Sequence, residues 1–251
     1  FFINNNQKNK LHYNHKNNYI TTTKYNIITF LLKSFLIQFA RLPNVYFLLT
    51  AIIQSIPIVS PLSSASSILP LIVVLGVSMI RELIEDISRH NYDKLNNQAR
   101  VWCYNQIQEQ FLEIKSEEIK IGELIIVKNN MSIPCDLVIL DTSSEEGICY
   151  VETSSLDGEK GLKQKISNKI TNGSFRKMCS SSLQNTDIFK LRKIALKGFC
   201  QCDKPNPRLN KLDGRISIGI HNALEKYPIS ANQMLLKGTI LKHTDWVIGF
   251  V

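Results

Sequence analysis

Charge is missing from two stretches of the chain. The 251-residue sequence has 30 Lys and Arg against 21 Asp and Glu, but residues 1–41 contain no acidic residue and residues 42–80 contain no charged residue at all. The net charge of +9 therefore describes mainly an N-terminal arm. A basic arm of this kind does not indicate a nucleic-acid-binding domain, and we expect no nucleic-acid partner.

Cysteine is also scarce. Six cysteines in 251 residues are too few for a disulfide-rich scaffold. No Cys-x-x-Cys pair is present, and the two-residue spacing of Cys200 and Cys202 suits few metal sites. We therefore interpret the cysteines as ordinary free thiols and expect no metal ligands. Hydrophobic residues make up 44% of the chain, which excludes a chain that is disordered throughout.

The N-terminal residues 1–26 contain eight asparagines and scattered basic residues, which is typical of a mobile, low-complexity segment. Residues 27–41 are mostly apolar, but Lys33 and Gln38 interrupt a run that is already too short to span a membrane. This pattern predicts an amphipathic helix. It fits an interfacial helix near anionic lipid head groups and a helix packed on protein equally well.

Residues 42–80 are 39 consecutive residues without Asp, Glu, Lys or Arg. As one helix they would extend ~58 Å, about twice the ~30 Å of a bilayer core. Pro57, Pro61 and the serines of residues 60–67 break the run near its middle. The sequence therefore predicts two membrane helices joined by a tight Ser-rich turn.

The first of these helices is expected to run from about Asn44 to Ile58, and the second from about Ile68 past Ile80. Basic residues flank the outer ends but not the turn, namely Lys33, Arg41, Arg81, Arg89 and Lys94. By the positive-inside rule both ends face the cytosol and the turn faces outward. The alternative is a buried helical hairpin in a soluble protein.

Residues 81–100 keep apolar residues at helical spacing, with charged residues in the other positions. This pattern predicts a cytosolic stalk that continues the second membrane helix. Glu82, Glu85 and Asp86 are interpreted as a solvated helix face that pairs with Arg89 or His90, rather than as a metal or acid–base cluster.

From residue 101 onward the pattern changes to that of strands. The clearest runs are Leu124–Val127, residues 136–143 and residues 147–154. Weaker strand signals follow in residues 191–200, 214–220 and 233–241. Residues 101–251 are therefore predicted to form a mainly β cytosolic domain.

Several short motifs occur along the chain in a specific order. They include Asn44-Val45-Tyr46-Phe47-Leu48, Gln54-Ser55-Ile56-Pro57, Arg89-His90, Cys149-Tyr150-Val151-Glu152-Thr153, Leu156-Asp157-Gly158-Glu159, Pro207-Arg208-Leu209, Leu235-Leu236-Lys237-Gly238 and Thr244-Asp245-Trp246-Val247-Ile248-Gly249. Each motif alone is weak, but their order and spacing over residues 20–251 resemble the start of the phospholipid-transporting P-type ATPases, the lipid flippases.

The resemblance implies an α-helical transmembrane hairpin followed by a mainly β, distorted jelly-roll-like actuator domain. It assigns a catalytic loop to Asp157, Gly158 and Glu159. Hydrolysis of an acyl phosphate needs a base that positions and deprotonates water, and Glu159 matches that role. Gly158 would let the loop approach another domain closely. Without the resemblance, these three residues would be interpreted as an exposed turn.

The sequence departs from the family pattern at two positions near these motifs. Lys160 stands where the family usually has Thr, and a lysine cannot accept a hydrogen bond. Its charge would either attract phosphate or pair with Glu159 and weaken the base. Cys135 stands where the family usually has Ala, and we interpret it as a tolerated small apolar residue. The Asp-Lys-Thr-Gly phosphorylation motif and a Walker-type loop do not occur in these 251 residues.

The resemblance also implies ligands and partners. Gln54 and Ser55 fall where the family's lipid path lies; a hydrogen bond between packed helices explains such polar residues equally well. The complete enzyme would use ATP and Mg²⁺, and neither ligand is expected to bind to residues 1–251 alone. Implied partners are membrane phospholipid, the phosphorylation and nucleotide-binding domains, and an accessory subunit.

Three functions are consistent with the sequence. The first is the N-terminal part of an ATP-driven phospholipid translocase, an integral membrane protein with both termini cytosolic. The second is a non-catalytic, membrane-anchored regulatory or truncated module, which Lys160 favours. The third is a soluble basic binding protein, which the uncharged residues 42–80 disfavour.

Overall fold

A computed structural model describes residues 17–56, 64–105, 107–108, 110–169, 171–173, 197–203, 211–219 and 225–251. The chain divides into two compact units. The helical unit is Ile20–Asn96, and the β unit is Asn97–Val251 together with the residues before Ile20.

The helical unit contains three helices. They are α1 (Ile27–Gln38), α2 (Leu42–Gln54) and α3 (Ser64–Gln98), whose last two residues belong to the β unit. Pro43 lies in the first turn of α2, where its missing N–H costs no helical hydrogen bond. The side chain of Asn44 donates to the carbonyl of Gln38 at 2.7 Å, which fixes the beginning of α2 against the end of α1.

Helices occupy the described parts of the segments that were predicted to be helical, with different bounds. α1 covers most of the predicted amphipathic helix, and α2 ends at Gln54 rather than near Ile58. α3 joins the predicted second helix and the predicted stalk in one helix of 35 residues. Pro57, Pro61 and most of the predicted Ser-rich turn lie outside the described residues.

No single helix among the described residues is both long and apolar enough to cross a membrane. Residues Ile28–Gln38 and Leu42–Gln54 meet the length and composition criteria only as a pair, and this pair is bent by 81°.

The β unit contains twelve strands in its described residues. They are β1 (Arg100–Asn105), β2 (Gln110–Lys115), β3 (Leu124–Lys128), β4 (Leu137–Thr142), β5 (Ile148–Glu152), β6 (Leu162–Ile166), β7 (Lys197–Cys202), β8 (Gly214–Gly219), β9 (Glu225–Ile229), β10 (Met234–Leu235), β11 (Ile240–Lys242) and β12 (Trp246–Phe250). A six-stranded sheet has the order β10-β4-β12-β3-β1-β2, and two three-stranded sheets have the orders β11-β5-β6 and β7-β8-β9. All pairs are antiparallel.

The six-stranded sheet is covered on both faces. Leu124 and Ile126 of β3 pack in one apolar cluster with residues of β7, β8 and β9, whereas Ile125 and Val127 pack in a second cluster with residues of β5 and β11. Because successive side chains of a strand point to opposite faces, a strand buried on both faces must be apolar throughout. This explains the unbroken apolar run that made β3 recognisable in the sequence.

Cys135 lies buried in the second cluster, as expected of a small apolar residue. The five cysteines among the described residues are free thiols. Burial raises the pKa of Cys149 to about 12 and that of Cys135 to about 12, so both thiols stay neutral and inert.

Candidate active-site loop

The Asp157-Gly158-Glu159 motif lies in the hairpin loop between β5 and β6. These strands pair antiparallel, and Glu152 faces Leu162 at the end of the ladder. The loop starts with one helical turn, α4 (Ser154–Asp157), and ends at Gly161. The sequence predicted β5 but not β6.

Gly158 ends the helical turn in the left-handed conformation, with φ of 75°. A Cβ atom on Gly158 would meet no atom within 4 Å. Glycine is therefore required here by the backbone conformation and not by a lack of space.

Asp157 holds the loop together. Its carboxylate accepts hydrogen bonds from the Thr153 hydroxyl, at 2.9 Å and 3.1 Å, and from the backbone N–H of Glu159 at 3.0 Å. It also pairs with Lys163, whose Nζ lies 2.5 Å from Oδ2. The hydrogen bond from Lys163 is the largest cause that lowers the pKa of Asp157 to about 2. The carboxylate is thus fully used within the loop.

Glu159 is the most accessible acid of the motif, with its side chain 67% exposed. Its Oε2 lies 3.1 Å from Nζ of Lys163. No contact within the described part of the chain involves its Oε1 atom. Among the described residues, Oε1 thus has no hydrogen-bond or ion-pair partner, and two thirds of the side chain is exposed.

Lys160 is exposed and forms no ion pair among the described residues. The cation that pairs with Glu159 is Lys163, four residues further along and the second residue of β6. Lys163 was not among the site residues predicted from the sequence. The spacing of four residues between Glu159 and Lys163 is a weak signal of an ion pair. Side chains at this spacing meet only in certain backbone conformations, and the sequence does not give the conformation of this loop.

β6 has an inverted pattern. Leu162 and Ile166 are exposed, whereas Lys163 and Lys165 point inward and are partly buried. β6 is the edge strand of its sheet, and inward-pointing charges are a common way to prevent an edge strand from pairing with other chains.

A small cavity of about 20 Å³ lies behind the loop, between Thr153, Asp157, Lys163 and Lys165. That volume holds roughly one water molecule. Lys165 donates to the carbonyl of Ala231 at 2.7 Å, and burial lowers its pKa. The cavity is too small for a substrate.

Two further contacts attach the loop to its surroundings. The Ser155 hydroxyl donates to the carbonyl of Gly238 at 2.9 Å, and the Ser154 hydroxyl donates to Glu152 at 2.8 Å. Glu152 also lies 3.8 Å from Lys242 of β11. The loop is thus held at its base, while Glu159 projects from its tip.

Gln54 and Ser55 lie in the helical unit, where Gln54 is the last residue of α2 and Ser55 follows it. Gln54 is half-buried and Ser55 is exposed. The Ser55 hydroxyl donates to the carbonyl of Ala51 at 2.7 Å. This bond to the last turn of α2 satisfies the Ser55 hydroxyl without a partner helix.

The acidic face of α3 differs from our expectation. Glu82 accepts hydrogen bonds from the hydroxyls of Tyr25 and Ser34, the latter at 2.6 Å, and from the side chain of Gln38 at 3.2 Å. Asp86 accepts from the backbone N–H of Lys24 at 2.9 Å. Glu82 and Asp86 are therefore not solvated as expected, because the preceding segment and α1 cover them, although Asp86 does lie 3.9 Å from Arg89, one of its two expected partners.

Only Glu85 follows the expected pattern in full, with Arg81 at 3.1 Å and Arg89 at 3.8 Å. Further along α3, Asp93 accepts from the backbone N–H of Thr22 at 2.6 Å and from its hydroxyl at 2.7 Å. Burial opposes ionisation of Asp93, but these hydrogen bonds outweigh it and lower its pKa.

The described residues contain no group of three His, Cys, Asp or Glu side chains that could hold a metal ion. The carboxylates of Asp157 and Glu159 both pair with the ammonium group of Lys163, which occupies the place that a cation would need. These residues therefore do not fit a magnesium site.

Two protein-family models match the chain. Residues 1–68 match the phospholipid-translocating ATPase N-terminal region, and residues 95–201, which include the loop, match the P-type ATPase actuator domain. The chain belongs to the phospholipid-transporting P-type ATPases, as their N-terminal and actuator regions. The resemblance noted in the sequence is confirmed, as is a mainly β actuator domain.

Curated proteins agree with this assignment. The chain is 37% identical over 236 residues to a human protein named phospholipid-transporting ATPase IC. The matched segment covers 94% of this chain and 17% of the relative. It is 36% identical over 239 residues to phospholipid-transporting ATPase DRS2 of Saccharomyces cerevisiae, and this match covers 95% of the chain and 16% of the relative. A probable phospholipid-transporting ATPase 4 of Arabidopsis thaliana is 37% identical over 237 residues, and this match covers 94% of the chain and 18% of the relative. The chain thus spans less than a fifth of these relatives.

Proposed function

We propose that this chain is the N-terminal part of an ATP-driven phospholipid translocase, and that its actuator loop promotes hydrolysis of an aspartyl phosphate. The observation that carries the proposal is the exposed Glu159 at the tip of a hydrogen-bonded loop in an actuator domain. The names of the relatives support membrane phospholipid as the substrate.

In this proposal Glu159 acts on a phosphorylated aspartate that another domain of the longer protein presents to the loop. Its free Oε1 accepts a proton from water while the water attacks phosphorus, and the aspartate carboxylate leaves. Asp157 does not touch the reacting atoms. It fixes the backbone on which Glu159 stands, through its bond to the N–H of Glu159. Gly158 permits the tight turn between them.

Residues 42–80 would form a membrane hairpin with both ends of the chain cytosolic, and residues 81–100 would form its stalk. Large apolar side chains remain exposed on these helices, including Ile52, Ile72 and Val77. Exposed apolar surface of this extent is typical of a lipid-facing or partner-facing helix. Gln54 and Ser55 would lie beside the lipid path. An accessory subunit is a further partner in this proposal.

The complete enzyme would bind ATP and Mg²⁺ through its phosphorylation and nucleotide-binding domains. Since the residues described here do not fit a metal site, we assign no step of this chain to Mg²⁺. We expect residues 1–251 alone to incorporate no phosphate from ATP. A hydroxylamine-sensitive phosphoprotein formed by the purified chain would contradict this expectation.

A domain exchange tests the proposal. Residues 1–251 replace the matching segment of a full-length phospholipid-transporting ATPase, and lipid-dependent ATP hydrolysis and transport of fluorescent phospholipid are measured in vesicles. We expect both activities to remain. A folded chimera that forms phosphoenzyme but never turns over would instead support the alternative of a non-catalytic module, in which Lys160 replaces a required residue. Lys160→Thr in the same chimera then shows whether that residue is the cause.

A further inference from the structure

Lys163 is the one side chain among the described residues that contacts both acids of the loop. Its Nζ lies 2.5 Å from Asp157 Oδ2 and 3.1 Å from Glu159 Oε2. A single ammonium group therefore connects the residue that shapes the loop to the residue at its tip.

The strand register explains why Lys163 reaches the loop. In the ladder between β5 and β6, Lys163 stands opposite Val151, which is buried in the second apolar cluster. Residues directly opposite each other share a face of the sheet, so the stem of Lys163 starts on the inner face. Its charged end then turns to the loop, where Asp157 and Glu159 supply the opposite charge.

Nothing else in the described structure restrains the Glu159 side chain. It stands between Gly158 and Gly161 along the chain, and Cβ atoms built on these glycines would meet no atom within 4 Å. Without Lys163, its carboxylate would move through several rotamers in open space. Restraining a reacting group in one geometry is a large source of rate, and misplacement by about 1 Å can cost on the order of 100-fold.

We infer that Lys163 is the positioning residue of the catalytic loop, which holds one carboxylate oxygen of Glu159 so that the other faces the attacking water. The inference rests on the proposed function, since it concerns the same hydrolysis. Lys163 does not touch the reacting atoms and acts only through Glu159. The ion pair engages Oε2 and leaves Oε1 without a partner among the described residues.

The contact itself can be tested in the 251-residue chain. Carboxyl ¹³C NMR follows the titration of Asp157, whose low pKa depends first on Lys163. In Lys163→Met we expect the pKa of Asp157 to return toward its ordinary value of 3.8, whereas Lys163→Arg keeps it low. Lys160→Met is the matched control, because it removes a charge from the same loop without removing an ion pair. An Asp157 pKa in Lys163→Met that is as low as in the unmodified chain would overturn the inference.

The role is tested in the full-length chimera by phosphoenzyme decay after an ATP chase. We expect Lys163→Met to slow decay about tenfold through misplacement of Glu159, and Lys163→Arg to restore most of the rate. Phosphoenzyme formation should be unchanged in both variants, which shows that they fold.

A double-mutant cycle separates positioning from a structural role. Since Lys163 acts through Glu159, Lys163→Met should have no further effect in a Glu159→Gln background. Slowing that persists in that background, or normal decay in Lys163→Met while Glu159→Gln decays slowly, would overturn the inference alone. Normal decay in Glu159→Gln would overturn the proposed function and the inference with it.

Discussion

The shortest ion pair among the described residues joins Nζ of Lys163 to Oδ2 of Asp157, at 2.5 Å. It connects the edge strand β6 to the last residue of the helical turn that precedes Gly158. The loop therefore keeps its shape by its own contacts, and its Glu159 is presented on a fixed base.

This pair makes a prediction for pH. The folded pKa of Asp157 is about 2, below its ordinary value of 3.8. A depressed carboxyl pKa contributes stability that is fully present above the ordinary value and is lost as the pH falls through the folded value. We expect the loop to stay intact at pH 4 and to open between pH 4 and pH 2, as followed by the Asp157 carboxyl resonance. A midpoint near 3.8 would show that the ion pair does not form.

The buried contacts of Glu82 make a prediction for stability. Ser34 and Gln38 are fully buried, and both donate to this carboxylate. Glu82→Ala would leave these donors unpaired, at a cost of about 1–3 kcal/mol each in the free energy of unfolding. Thermal unfolding in detergent measures the loss.

Glu85→Ala is the matched control for Glu82→Ala. Glu85 lies one turn further along the same helix, and its partners are exposed or half-exposed arginines. Exposed pairs of this kind contribute about 0–1 kcal/mol. Equal destabilisation by the two substitutions would contradict the hydrogen-bond network that covers Glu82.

Gly249 in β12 is predicted to tolerate no side chain. A Cβ atom there would lie 2.8 Å from Cβ of the buried Leu137, at the point where the register between β12 and β4 shifts. Gly249→Ala should therefore lower the free energy of unfolding by about 1–3 kcal/mol through overpacking. Gly76→Ala in α3, where a Cβ atom meets nothing within 4 Å, should be neutral or stabilising.

The proposed topology predicts where labels will react. Single cysteines placed at residues 62–66 should react with an impermeant reagent from the non-cytosolic side of the membrane, and cysteines near residue 150 only from the cytosol. Asn130 and Asn172, which begin N-x-S/T sequences, should carry no glycan. Labelling of residues 62–66 from the cytosolic side alone would contradict the hairpin.

The sequence predicted some elements because burial imposes a simple pattern on them. β3 is buried on both faces and is apolar throughout, so it was predicted correctly. In β6, Leu162 and Ile166 are exposed and the lysines point inward. The alternation of apolar and charged residues therefore predicts the wrong face of β6 as the buried one. Such a strand is recognisable only when its neighbour β5 and the loop contacts are known.

The candidate site shows the same limit. Asp157, Gly158 and Glu159 were found through a contiguous motif, whereas Lys163 depends on a backbone turn that brings it back to the loop. Likewise, the carboxylates of Glu82 and Asp86 look solvent-exposed in a helical pattern, because their partners Tyr25, Ser34 and Lys24 lie about 50 to 60 residues away.

In the proposed function, Glu159 is the base that activates water to hydrolyse the aspartyl phosphate, and the substitution Glu159→Gln tests this role. Glu159→Gln keeps the shape of the side chain but removes its ability to accept a proton. In the chimera, phosphoenzyme is formed with labelled ATP and its decay is followed after a chase. Glu146→Gln, an exposed acid in the turn before β5, is the matched control.

We predict that Glu159→Gln forms phosphoenzyme normally and that its decay is slower by on the order of 10²–10⁴-fold, the usual cost of losing a general base. Glu146→Gln should decay at the rate of the unmodified chimera. Decay of the Glu159→Gln phosphoenzyme at that same unmodified rate would contradict the account.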